Sequence, residues 1–336
     1  MTGSLLDVPK VELHCHLEGS MSSATVKALA ARHRPDWSAV WSGDIPDRFS
    51  FSDFPDFGRQ YLFGLSLLRN EEDLATVTAD LATTLAEQNV RYVELTTTAY
   101  SHLHVGGMAR EVYRDGLDEG RRRAAARGVD IGWVIDIPRD LEAPDQTDTI
   151  DYLESGLTPA GLVAIGLGGY EVGFPAGPYA DHFARARALG LHSVPHAGET
   201  EGADSVFQAV ELLRAERIGH GVRILEDTEL TARVADEGIL CEVCPTSNEL
   251  LGVVADIEQH PLPQMIEAGL RVSINTDDPG WFDTDLMTEL SIASELGIDD
   301  DMHLRLQRSA LDASFADAPV RRRIVEELDA YERSHS

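Results

Sequence analysis

Only three cysteines, Cys15, Cys241 and Cys244, occur among 336 residues. A number this small and odd excludes a disulfide framework and points to a reducing cytoplasm. Basic residues are also scarce: 28 Lys and Arg face 58 Asp and Glu, a formal net charge of −30. That field repels polyphosphate and anionic lipid, so nucleic-acid polymers and membrane surfaces are poor partners, whereas a small, neutral, nitrogen-rich base is not excluded. Long apolar runs are missing too. No stretch reaches the roughly 18 apolar residues a membrane span needs, and Met1–Pro9 holds no basic region followed by an apolar run, so neither a span nor a signal peptide is expected.

What remains is an ordinary globular composition, 43% hydrophobic and 26% charged, which supplies a sizeable core. Apolar, β-branched runs recur at Val11–His16, Arg91–Thr98, Val129–Ile137, Leu162–Gly169, Leu191–Gly198, Arg217–Gly221, Ile239–Thr246 and Arg271–Asp277. Helical segments such as Ser22–Arg32, Glu71–Gln88, Ala109–Arg127, Thr149–Ser155, Ala180–Leu189 and Gln259–Ala268 alternate with them. Eight such repeats predict an α/β fold, a closed (β/α)8 TIM barrel rather than an open doubly wound sheet. Extra helices are expected after the first strand and at the C-terminus, from Thr284 to Glu332. The aromatic, turn-rich segment Phe51–Gly58 reads as a loop, either a lid or simply packed. With no repeat, low-complexity tract or linker, residues 1–336 are expected to form a single domain.

Chemistry begins on the first strand. Its apolar residues alternate with Glu12, His14 and His16, and a period of two turns His14 and His16 to the same side. Two such imidazoles can share a metal ion, although an isolated His-X-His is as readily a pair of strand histidines with no ligand. In a barrel the C-terminal strand ends share one face. The fifth strand ends in His196-Ala-Gly-Glu199, the sixth in His220-Gly221 and the eighth in Asp277-Asp278. Each alone is a structural hydrogen-bonder as readily as a ligand. Taken together, His14, His16, His196 and Asp277 offer three nitrogens and one carboxylate, a donor set that suits Zn2+ and leaves room for a water. Cys241 and Cys244 read as small apolar residues on a buried strand. His102-Leu-His104, after the second strand, reads as surface histidines or as part of a substrate mouth.

Five segments in order resemble the motifs of the adenosine/adenine deaminase family, within the amidohydrolase superfamily: His14-Cys-His16-Leu-Glu18-Gly19, His196-Ala-Gly-Glu199, Arg217-Ile-Gly-His220-Gly221, Cys244-Pro-Thr-Ser-Asn248 and Asn275-Thr-Asp277-Asp278-Pro279. The resemblance implies a (β/α)8 barrel with one zinc ion per chain. It also implies hydrolytic removal of a purine 6-amino group, giving the 6-oxo product and ammonia. Zinc suits that task because it lowers the pKa of bound water from 15.7 to about 7. By position, Glu199 is similar to the family's proton donor to N1, and His220 to the residue that orients the attacking water. Asp278 matches the residue that helps activate the water and contacts N7, and Gly169 the backbone donor to N3. His16 and Glu18 are also expected to contact the substrate, with Glu18 standing where the family grips the ribose 5′-hydroxyl. Without the resemblance, Glu199 is also readable as a carboxylate that orients a ligand, and His220 as a satisfied core histidine.

Departures from the family pattern bear on the substrate. Adenosine deaminases usually carry Asp where this chain has Glu18, an Arg in the second strand where it has Glu94-Leu-Thr96-Thr-Thr-Ala99, and an Asp where it has Gly166. The ribose end of the pocket is therefore expected to be remodelled. The Leu-Thr-Thr-Thr and Gly-Leu-Gly-Gly patterns resemble actinobacterial aminodeoxyfutalosine deaminases, which act on a 5′-elaborated adenosine. The expected substrate is adenosine or a 5′-modified adenosine such as aminodeoxyfutalosine. The alternatives are adenine deamination on the free base and a catalytically silent purine-binding barrel.

Overall fold

The computed structural model describes residues 5–140 and 147–335. Eight strands, β1 (Lys10–His16), β2 (Val90–Thr97), β3 (Asp130–Pro138), β4 (Leu162–Gly168), β5 (His192–Ala197), β6 (Arg217–His220), β7 (Leu240–Val243) and β8 (Arg271–Ile274), run in parallel in chain order. The barrel expected from the sequence is closed just past the end of β8. There Cys15 bridges Asp277, the His16 N–H donates to the Asp277 carbonyl at 2.8 Å, and the Asp277 N–H donates to the His14 carbonyl at 3.1 Å. Glu12 tightens the same seam by accepting from the Thr276 N–H at 3.0 Å and its hydroxyl at 2.6 Å.

The period-two alternation sorts side chains between two layers. On β3, Ile131, Trp133, Ile135 and Ile137 are buried in the main core between sheet and helices. Val134 instead packs with Ala164 and Val194 in a separate cluster. Asp136, two residues on from Val134, lines the cavity at the strand ends.

Three helices, α1 (Ser23–His33), α2 (Phe54–Leu65) and α3 (Glu71–Glu87), separate β1 from β2. The segment expected to be a loop is thus largely the start of α2. Asp53 caps it by accepting from the Asp56 N–H, and Pro55 occupies the first turn, where its missing N–H costs nothing. Phe57 packs its ring 5.2 Å from those of Phe51 and Phe282, which fixes the helix over the strand ends.

Further around the barrel come α4 (Arg110–Ala125), α5 (Asp148–Glu154), α6 (Ala180–Ala188), α7 (Ala203–Leu212), α8 (Thr228–Glu237), α9 (Pro245–Leu250) and α10 (Leu262–Glu267). The β7 strand stops at Val243, earlier than the expected Thr246, because Pro245 lacks an N–H for the ladder and opens α9. The tail forms α11 (Pro279–Phe282), α12 (Leu286–Glu295), α13 (Asp300–Ala313) and α14 (Ala318–His335). Leu304, Leu311, Ile324 and Leu328 from α13 and α14 pack on Val11, Leu13 and Tyr92, holding the C-terminal helices against the first strands. Among the described residues, no helix is long and apolar enough to cross a membrane.

Candidate active site

The four residues singled out as a donor set converge. His14 and His16 come from β1, His196 from β5 and Asp277 from the turn after β8, and one donor atom of each lies within 4.8 Å of all the others. Asp277 Oδ1 stands 3.3 Å from His14 Nε2 and 3.2 Å from His16 Nε2, and His16 Nε2 stands 3.3 Å from His196 Nε2. Buried polar atoms are normally paired, yet His14 Nε2 has no hydrogen-bond partner. Burial alone would lower the histidines, but the carboxylates of Asp277 and Glu242 beside His14 outweigh that and lift it to about 10. Asp278 and Asp277 likewise lift His16 to about 9. The cage therefore favours positive charge at its centre. Three imidazole nitrogens and one carboxylate oxygen fit a zinc-like cation.

The backbone at this site is strained. His220 and Asp277 adopt φ of 61° and 63°, a left-handed conformation that costs a non-glycine residue about 1–3 kcal/mol. That strain aims His220 Nε2 to a point 3.8 Å from both Glu199 Oε1 and Asp277 Oδ2.

Glu199 is 3% exposed, and burial pushes its carboxyl well up, with Asp277 and Glu171 adding to the effect. A carboxyl kept protonated beside a cavity is a proton donor. Its backbone is held by Glu171, whose carboxylate accepts from the N–H groups of Gly198 at 3.1 Å, Glu199 at 2.8 Å and Thr200 at 2.9 Å. Arg139 donates to the His196 carbonyl at 2.5 Å, near the end of β5 just before the loop that carries Glu199.

Asp278 lines the cavity with Oδ1 buried and unpartnered, and burial followed by the Asp277 charge pushes its carboxyl up. Gly19 is required opposite it, since a Cβ there would fall 1.7 Å from Asp278 Oδ1. Gly169, also in the wall, has φ of 89°, where a side chain would be strained. The cavity measures about 640 Å3. Phe54, Phe57, Tyr61, Leu62 and Leu65 of α2 line it on one side and His16, His196, Glu199, His220 and Asp277 on the other. Arg59 is the one Arg or Lys in its lining among the described residues, and it already pairs with Asp56.

Two expectations need correction. Glu18 was expected at the substrate, but its carboxylate is fully buried in the wall. It accepts from the Thr97 hydroxyl at 2.7 Å, the Thr98 N–H at 3.2 Å and His102 Nε2 at 2.7 Å, while the Tyr61 hydroxyl stands 3.4 Å away. The extra methylene relative to Asp lets Glu18 reach these donors. His102 is consequently not a surface residue: it is 1% exposed, stacked on Tyr113, and held by Glu18. His104 does stay at the surface, beside Asp148.

Other residues gain a place that the sequence did not reveal. Glu242 on β7 lies 2.9 Å from His14 Nδ1 and is itself paired with Arg217, which also pairs with Glu94. Ser247 donates to Asp277 Oδ2 at 2.7 Å. Asp136 lines the cavity and accepts from the Thr98 hydroxyl at 2.7 Å, and burial pushes its carboxyl up. It fills space freed by glycine on β4, for a Cβ at Gly168 would lie 2.5 Å from Asp136 Oδ2. Cys241 and Cys244 are buried and unpaired, as expected. Cys244 does approach His220 and Asp277; burial pushes its thiol well up, and the thiol donates to the Glu242 carbonyl at 3.6 Å.

Comparison with known proteins agrees with this arrangement. A family model described as adenosine deaminase matches residues 9–331. The chain is 41% identical over 328 residues to an aminodeoxyfutalosine deaminase of Streptomyces coelicolor, covering 96% of this chain and 84% of that protein. It is 36% identical over 314 residues to an adenine deaminase of Chelativorans sp., covering 93% and 95% of the two. Among solved structures, adenine deaminase from Arthrobacter aurescens superposes with a TM-score of 0.90 at 28% identity, covering 97% of this chain and 99% of that one.

Proposed function

The chain belongs to the adenosine deaminase family and is an aminohydrolase of aminated purines, and from that premise we propose that its substrate is an adenosine with a modified 5′ side, such as aminodeoxyfutalosine. His14, His16, His196 and Asp277 would hold one zinc ion per single-domain chain. Bound there, zinc supplies the Lewis acidity that makes water a nucleophile near neutral pH. The buried, unpaired cysteines fit a cytoplasmic home.

The observation that carries the reading is the placement of the buried Glu199 carboxyl and the donor cage in the wall of one cavity. Glu199 gives its proton to N1, which turns the neighbouring amino-bearing carbon into an electrophile. His220 orients the attacking water, and Asp278 takes part in accepting its proton and contacts N7. The Gly169 backbone faces N3, and His16 borders the sugar. Water adds, Asp278 passes the water's proton on to the amino group, the C–N bond breaks to release ammonia, and loss of the remaining hydroxyl proton to Glu199 leaves the 6-oxo purine protonated on N1. A silent purine-binding barrel has no use for a proton donor at that position.

Three features favour a nucleoside elaborated at its 5′ side. The cavity is far larger than a bare bicyclic base needs. Glu18, at the position where the family grips a 5′-hydroxyl, is turned into the wall and satisfied there, which leaves that space open. Among the described residues the lining holds no basic cluster for a 5′-phosphate, and Asp136, Asp140, Asp277 and Asp278 repel one. Adenine deamination remains the second reading, because a relative named adenine deaminase is 36% identical across 93% of the chain. Steady-state rates on adenine, adenosine, 5′-deoxyadenosine and aminodeoxyfutalosine separate the two. The highest kcat/KM is expected for aminodeoxyfutalosine, and a preference for adenine would replace this reading with the second.

A further inference from the structure

The motif Cys244–Asn248 ends in a residue that the reaction above does not use. Asn248 is fully buried, and its side chain sits between two histidines that are each 1% exposed, His220 and His260. Asn248 Nδ2 lies 3.2 Å from His220 Nδ1, and Asn248 Oδ1 lies 3.1 Å from His260 Nε2. The chain ends on backbone: the Leu262 N–H stands 3.1 Å from His260 Nδ1.

That last contact fixes all the others. A backbone N–H is only ever a donor, so His260 Nδ1 accepts and carries no proton. The His260 proton is then on Nε2, which donates to Asn248 and identifies the facing amide atom as oxygen. The Asn248 amide nitrogen, turned the other way, donates to His220 Nδ1. With Nδ1 accepting, His220 keeps its single proton on Nε2, the atom aimed between Glu199 and Asp277. Burial holds His260 down to about 4, in keeping with a neutral ring.

We propose that Asn248 and His260 are positioning residues that lock His220 in the neutral tautomer protonated on Nε2, so that His220 meets the attacking water as a hydrogen-bond donor. The inference rests on the placement of His220 beside that water. It has a consequence for proton flow: Nε2 has no lone pair to offer, so the water's proton passes to a carboxylate, for which Asp278, with Oδ1 buried and unpartnered in the cavity wall, is placed. The donated hydrogen bond in turn stabilises negative charge as it develops on the attacking oxygen.

The test exploits the near-identical shapes of Asn and Asp. In Asn248→Asp the side chain has no N–H to give, so it draws the His220 proton onto Nδ1 and leaves Nε2 facing the cavity as an acceptor. In Asn248→Ala the restraint is lost without being reversed. For the zinc-loaded enzyme, Asn248→Asp is expected to lower kcat by about 100-fold or more, since an inverted tautomer costs about 10⁴ where a catalytic histidine is held by a carboxylate. Asn248→Ala is expected to lose less. His260→Gln keeps a donor to Asn248 and should retain most of the activity that His260→Leu loses. Histidine 15N chemical shifts, read on the folded wild-type protein and independent of turnover, should show His220 with Nε2 protonated and Nδ1 bare. A proton on Nδ1 in the wild type, or Asn248→Asp turning over at least as fast as Asn248→Ala, would overturn the proposal. Failure of the wild type to act on any aminopurine would instead count against the assigned reaction, with the 15N shifts still reporting the tautomer.

Discussion

Glu242 Oε2 lies 2.9 Å from His14 Nδ1 at the centre of the barrel. Arg217, 2.6 Å from the other carboxylate oxygen, keeps Glu242 ionised, so Nδ1–H donates and His14 Nε2 is left free for a cation. A carboxylate behind a metal-binding imidazole typically sustains 10- to 100-fold in affinity. Glu242→Gln should therefore weaken zinc binding by about that factor, measured by competition with a chelator. Unchanged affinity would remove Glu242 from the account.

Gly19 and Asp278 make the tightest approach in the site. Gly19→Ala places a methyl where Asp278 Oδ1 stands, so the carboxylate must move. The expected result is a kcat loss of at least tenfold with zinc content little changed, because Asp278 is outside the donor cage. Equal activity in the variant would show that the position of Asp278 is not critical.

Asp136 offers one carboxylate oxygen to Thr98 and lines the cavity beside Gly168. On the 5′-modified nucleoside reading it faces the sugar. Asp136→Ala should then cost kcat/KM on adenosine about 10- to 100-fold more than on adenine, the worth of one hydrogen bond to a charged group, about 1.5–3 kcal/mol. Equal losses on the two substrates would give Asp136 a structural role only.

Glu12, on the strand that carries His14 and His16, predicts a pH dependence of stability. Burial, opposed by the Thr276 hydrogen bonds, pushes its carboxyl from 4.5 up to about 7. Between those values the folded chain holds a proton that the unfolded chain has lost, so stability falls as pH rises from 4.5 through 7. Above 7 the ionised Glu12 leaves Oε2 buried without a partner. Glu12→Gln keeps the acceptor that Thr276 uses and removes the charge. It should raise the melting temperature at pH 8, by the equivalent of about 1–3 kcal/mol, and much less at pH 5. A gap that stays constant across this range would contradict the assignment.

Much of this was legible before any coordinates. The alternation of Val11–His16 put His14 and His16 on one side of a strand, and the barrel rule brought His196, Glu199, His220 and Asp277 to the same face. Those are local signals combined with one topological rule. Contacts between residues far apart in sequence left no local trace. His102 becomes a buried partner of Glu18, 84 residues away, and nothing in His102-Leu-His104 encodes that. Asp136 is a polar interruption in an apolar strand, and its access to the cavity depends on Gly168 in the next strand, which no local pattern encodes. For α2 the signals were present but outvoted. Asp53 and Pro55 are a helix start, yet beside Gly58 and three phenylalanines they read as a turn.

The central claim is that a single cation held by His14, His16, His196 and Asp277 drives deamination of an aminopurine with Glu199 as proton donor. Ammonia release decides it most directly, measured on protein stripped by chelator, on the same protein reloaded with one equivalent of zinc, and on reloaded Glu199→Gln. The account predicts turnover of a 6-aminopurine nucleoside only by the reloaded wild type, with Glu199→Gln retaining zinc and losing about 100-fold or more of the rate. Stripped protein that works as fast as reloaded protein, or a near-normal rate for Glu199→Gln, would contradict it.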